Sequence, residues 1–153
     1  MLDQKDLQII KGIVEEFFKK IDLEAFIENS ILKENTLSLN VKVKEPKLLI
    51  GEKGEALSDL QHLLKAIIKT RLKKDFYLDF DINSYKERKI EYLKSLAKSL
   101  ADEVSLTKKE KILPAMPAYE RRIIHLELAS RKDVTTQSTG EEPERKVIIK
   151  PYP

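Results

Sequence analysis

Two of the chain's four glycines stand three residues apart in Gly51-Glu52-Lys53-Gly54, between the apolar run Leu48-Leu49-Ile50 and a segment of helical period. Glycines just ahead of a helix let the backbone approach a ligand closely, and the unpaired amides of the first helical turn form an anion site. Phosphate is the natural occupant. Lys53 adds a cationic point charge at the tip, and Leu48, Leu49 and Ile50 offer an apolar wall to an unstacked base. The same spacing also serves as a tight turn between packed elements. A second constellation is Arg121-x-x-x-His125 in "YERRIIH", one helical turn apart, so that both side chains share a face while Ile123 and Ile124 turn elsewhere. On an exposed face such a pair holds a phosphate or stacks on a base. Alternatively, the arginine pairs with a carboxylate and the histidine caps the core.

Catalysis and metal binding find little to work with. The chain has no cysteine, and only His62 and His125 can act as imidazole ligands. Asp79 and Asp81 alternate on one face of a strand and can bind a cation, but that pattern more commonly marks the solvated side. No nucleophile stands ready for His125 to serve. The expectation is a protein that is not an enzyme, with neither metal nor cofactor.

The 153 residues carry a net charge of only +3 despite 36% charged residues, so an anionic partner must be held by a local basic face. The cations near the two constellations are Lys53, Lys65, Lys69, Arg121, Arg122 and Arg145. The start "MLDQKDLQIIKG" has no basic region followed by an apolar core, and no apolar run approaches membrane-spanning length. Cytoplasmic location without membrane insertion is the expectation.

The elements that position these residues follow from periodicity. Leu7, Ile10, Val14, Phe17 and Ile21 mark a helix from Asp3 to about Lys20. "EAFIENSIL" predicts a strand. After the turn "KENT", Leu37, Leu39, Val41 and Val43 alternate with polar residues as a half-buried strand. "KLLI" is a short link or helical turn. Leu57, Leu60, Leu64, Ile67 and Ile68 predict a helix to about Leu72, and Phe76, Leu78, Phe80 and Ile82 a third strand. Ser84-x-x-Glu87 has the form of a capping box at the head of a long helix, with Ile90, Leu93, Ala97, Leu100 and Val104 on one face. Pro114 and Pro117 interrupt the chain before the short helix of "YERRIIHLELA", and "DVTTQST" and "RKVIIK" read as strands joined through Gly140 and Pro143. The expectation is two α+β domains, residues 1–83 and 84–153, and the near absence of a linker at Asn83 and Ser84 predicts a semi-rigid pair.

A strand, an apolar link ending in Ile-Gly-x-x-Gly, a helix and another strand resembles the KH domain. With the extra helix and strand in front it is similar to the type II form, an α-β-β-α-α-β order with a mixed three-stranded sheet and helices on one face. That resemblance implies that Gly51, Glu52, Lys53 and Gly54 clamp a nucleic-acid backbone while the adjoining groove reads bases. KH loops usually carry basic residues at the middle positions; here Glu52 is acidic and Glu55 follows. The Arg-x-x-x-His pattern, with its long helix, short helix and terminal strands, is similar to the R-three-H domain, a small single-stranded nucleic-acid module. Both in this order, with "LLIGEKGEAL", "YERRIIH" and "GEEPERKVIIKP", resemble the bacterial Jag family, also called SpoIIIJ-associated, KhpB or EloR proteins. Many members carry a separate N-terminal Jag domain and linker that this sequence does not include. The resemblance implies binding of single-stranded RNA, or DNA, by the loop and by Arg121, Arg122, His125 and Arg145. It also implies a small single-KH protein partner or a homodimer, and links to cell elongation and division. The alternative is a protein–protein adaptor whose KH surface dimerises and whose RNA affinity is incidental.

Overall fold

Asp3 starts the first helix, α1 (Gln4–Lys20), through a reciprocal cap: its carboxylate accepts the Asp6 amide, and the Asp6 carboxylate accepts the Asp3 amide, each at 2.9 Å. The buried stripe of α1 is Leu7, Ile10, Ile13, Val14 and Phe18. It differs from the expected one at its end, where Phe17 is half-buried and Ile21, beyond the last turn, is exposed. The computed structural model describes residues 1–153, which divide into two units, residues 1–86 and 87–153.

In the first unit, β1 (Ala25–Lys33) and β2 (Thr36–Val43) form an antiparallel hairpin. A one-turn helix α2 (Lys47–Ile50), a 3-10 turn (Glu52–Gly54) and α3 (Glu55–Leu72) then carry the chain back to β3 (Tyr77–Ile82), which pairs parallel with β2. Parallel neighbours need such a crossover, and the helix supplies it. The sheet order is β1-β2-β3. Alternation does the rest: Leu37, Leu39, Val41, Leu78, Phe80 and Ile82 face inward and are buried with Leu57, Leu60, Leu64 and Ile68 of α3 and Ile10, Val14 and Phe18 of α1. The order and mixed sheet are those of the type II KH fold.

In the second unit, α4 (Tyr85–Thr107), whose first two residues belong to the first unit, is followed by β4 (Lys111–Ile112), α5 (Ala118–Leu128), β5 (Val134–Thr139) and β6 (Lys146–Pro151). The three strands are antiparallel in the order β4-β6-β5. Leu93, Ala97, Ala101 and Val104 of α4 share a core with Ile124 and Leu128 of α5 and with Val134, Val147 and Ile149. Ala101 replaces the expected Leu100 in that stripe, and Ile90 and Leu100 are half-buried. No helix is long and apolar enough to cross a membrane.

The head of α4 corrects the expected Ser84/Glu87 cap. Asn83 and Ser84 have φ of 50° and 54°, and Ser84 is turned to β2, where its amide donates to Asn40 Oδ1 and its hydroxyl accepts from Asn40 Nδ2, both at 3.0 Å. Asp81 takes the capping role instead, accepting the Lys86 amide at 3.1 Å. Asp79 pairs with the Lys86 ammonium at 2.7 Å. The two aspartates therefore serve the strand-to-helix junction, and no cluster of three or more metal-ligating groups exists.

Candidate nucleic-acid interface

Gly51 has φ 72° and ψ −176°, a region open essentially to glycine alone, and a Cβ there would stand 2.7 Å from Ala56 Cβ. Gly54 has φ 80°, and a Cβ on it would come within 3.1 Å of the Tyr85 ring. Both glycines are thus demanded by local geometry. The backbone between them turns tightly, with Lys53 itself left-handed at φ 54°. Glu52 and Lys53 project into solvent with no partner, and no side chain caps the start of α3. The tip thus carries one unpaired cation, Lys53, ahead of an 18-residue helix, a place that favours an anion, with Glu52 and Glu55 opposing it.

Beside the loop lies a groove of about 670 Å³, floored by Leu23, Leu48, Leu49 and Gly51 and rimmed by Glu45, Lys47 and Glu52. Leu48 is 87% exposed, so its apolar surface is free for a ligand. The expected wall is corrected at one position: Ile50 belongs to the core, and Leu23, from the α1–β1 turn, takes its place. Lys69 does not reach this site. It lies fourteen residues beyond Glu55 along α3, about 21 Å away, and pairs with Asp75 at 2.5 Å.

In the second unit the structure separates residues that the sequence grouped. Arg121 is buried: one guanidinium nitrogen donates to the Met116 carbonyl and the other pairs with Glu142, both at 2.6 Å. His125 is half-buried against β5, with Nδ1 2.7 Å from the Thr136 hydroxyl and Nε2 2.7 Å from the Ser138 hydroxyl. Burial, and then the charge of Arg121, hold its pKa below the ordinary histidine value, so the ring is neutral near pH 7. Arg145 donates to the Gly140 carbonyl and closes the β5–β6 connection. Arg121 and His125 do lie on one face of α5, but that face is turned to the sheet.

The opposite face of α5 presents Arg122, without an ion-pair partner, between Tyr119 and Leu126, which are 61% and 64% exposed. Spacings of three and four residues place the three side chains in one row. Tyr119 was missed from the sequence because spacing alone does not say which face of the short helix is exposed. The available signal was its position three residues before an arginine.

A family model of the R-three-H domain matches residues 91–151. Curated relatives carry the name RNA-binding protein KhpB. The one from Clostridium symbiosum is 33% identical over 148 residues, 97% of this chain and 65% of the relative. That from Lactiplantibacillus plantarum is 38% identical over 112 residues, 73% of this chain and 35% of the relative. That from Bacillus subtilis is 32% identical over 116 residues, 74% and 56% respectively. The chain thus spans between about one third and two thirds of the length of these relatives.

Proposed function

This chain belongs to the Jag family, whose members include the KhpB proteins, and we propose that it binds single-stranded RNA through two contacts. The first is the loop Gly51-Glu52-Lys53-Gly54. Its backbone clamps phosphate, Lys53 and Lys47 supply positive charge, and the leucine groove receives an unstacked base. The second is the outer row of α5, where Arg122 meets a phosphate and Tyr119 stacks on a base. Arg121, His125 and Arg145 hold that helix and the β5–β6 hairpin in place. The observation that carries the reading is the unpaired Lys53 on a turn whose two glycines have φ of 72° and 80° and little room for a Cβ, beside exposed leucines.

RNA binding of this kind suits a cytoplasmic regulator in cell elongation or division, acting alone, as a homodimer or with a small single-KH protein. The adaptor reading draws support from Glu45 and Glu52, two unpaired carboxylates on the groove rim that repel phosphate. A fluorescence titration with single-stranded RNA, single-stranded DNA and duplex separates the two. Single-strand preference supports the clamp, and no binding to any of them leaves the adaptor.

A further inference from the structure

The open face of the first unit's sheet carries an arrangement that neither contact uses. The strand register puts Lys33, Thr36 and Tyr77 in one row across β1, β2 and β3, and Ile31, Ser38 and Asp79 in the next. Their neighbours Leu37 and Leu78 are buried on the inner face, so this row stands on the solvent side. Tyr77 is 68% exposed and Ile31 55%. The residues between them, Thr36 and Ser38, are small and leave a shallow floor.

Lys65 reaches over from α3 and sets its ammonium 5.5 Å from the Tyr77 ring centroid. Lys33 and Lys65 have no carboxylate within ion-pair distance, whereas Asp79 is answered by Lys86 at 2.7 Å and Asp75 by Lys69 at 2.5 Å. Glu34, at the tip of the β1–β2 turn, opposes the two lysines in part.

We infer that this face is a further contact for single-stranded RNA: a base stacks on the free side of Tyr77, and the flanking phosphates lie toward Lys33 and Lys65. An exposed ring backed by a cation is a stacking platform that every base can use. The charge favours a polyanion over a second copy of this chain, because two copies of this face would bring like charges together. Lys65 lies ten residues along α3 from Glu55, about 15 Å from the clamp, so a different nucleotide must occupy it. The inference rests on the RNA-binding reading and extends it to a surface with its own residues.

The test uses the full chain and a single-stranded oligoribonucleotide of about 12 nucleotides carrying 5-iodouridine, long enough for one stacking groove and its flanks. Ultraviolet crosslinking and peptide sequencing should place a crosslink on Tyr77. Tyr77→Leu should weaken binding about fivefold or more while Tyr77→Phe binds as the parent does, with melting temperatures unchanged because the side chain is exposed. No crosslink at Tyr77, together with full affinity in Tyr77→Leu, overturns the inference and leaves the clamp untouched. A change of oligomeric state in Tyr77→Leu overturns it as well, making the face an interface between copies. Failure of the parent chain to bind the oligonucleotide overturns the RNA-binding reading itself.

Discussion

Arg121 and Glu142 form an ion pair at 2.6 Å that ties α5 to the connection between β5 and β6. The arginine side chain is 9% exposed and the glutamate 55%, so the pair lies half in water and half in the core. Its hydrogen bond to the Met116 carbonyl also anchors the segment leading into α5. The first residue of the Arg-x-x-x-His pattern therefore acts on the helix's position.

Arg121→Met should lower the stability of the second unit by about 1–3 kcal/mol, chiefly the cost of leaving the buried Met116 carbonyl unsatisfied, with a smaller loss from the half-exposed Glu142 pair. Arg122→Ala should leave stability within about 0.5 kcal/mol, as exposed substitutions do, and weaken RNA binding. Urea unfolding beside an RNA titration tests both. Undiminished stability with lost binding in Arg121→Met would make Arg121 a direct contact.

His125 gives the second unit a pH dependence with a defined sign. Its folded pKa lies below the ordinary value of 6.5, so the unfolded chain takes up a proton first. Stability from this residue is therefore complete above about pH 6.5 and is lost as the pH falls from there toward the folded pKa. Melting temperature should drop between about pH 7.5 and pH 5.5, and His125→Gln should remove part of that drop. An identical pH profile in the variant would mean that the ring keeps its partners when protonated.

Gly51→Ala should cost about 1–3 kcal/mol, from a backbone region closed to side chains and from the clash with Ala56. Ala56→Gly added to it removes the 2.7 Å methyl contact but neither the 3.0 Å approach to the residue-56 backbone nitrogen nor the φ of 72°, so thermal unfolding should show at most partial recovery. Full recovery would place the whole cost in the side-chain contact.

The strands and helices of both units were legible because alternation and helical period are written plainly in residues such as Leu37, Leu39 and Val41. What escaped depended on long-range partners. β4 is two residues long and becomes a strand only because Lys111 and Ile112 pair with Ile149 and Ile148 of β6. Ser84 has the right neighbours for a cap, yet Asn40, far away in sequence, claims it and leaves the role to Asp81. The loop was readable because its demand for glycine is local. For α5 the sequence left two readings open, and the pairing with a carboxylate holds because Glu142 reaches Arg121 from a connection that sequence spacing cannot fold against the helix.

Whether single-stranded RNA is clamped at Gly51-Glu52-Lys53-Gly54 is decided by a salt-dependent anisotropy titration of the parent chain and Lys53→Asp. Aspartate tolerates the left-handed backbone at this position, so the fold persists while the charge reverses. Counting all the nearby cations would give a slope of log affinity against log salt of about −3 to −4. Lys69, Arg121 and Arg145 are engaged elsewhere. The unpaired Lys47, Lys53 and Arg122 contact about three phosphates, for a slope of about −2 on an oligonucleotide too short to reach Lys33 and Lys65, which steepen it on longer ones. The expected result is that slope, stronger binding to single strand than to duplex, and an affinity loss of about tenfold in Lys53→Asp. Unchanged affinity in a folded Lys53→Asp, or tighter binding to duplex, would contradict it.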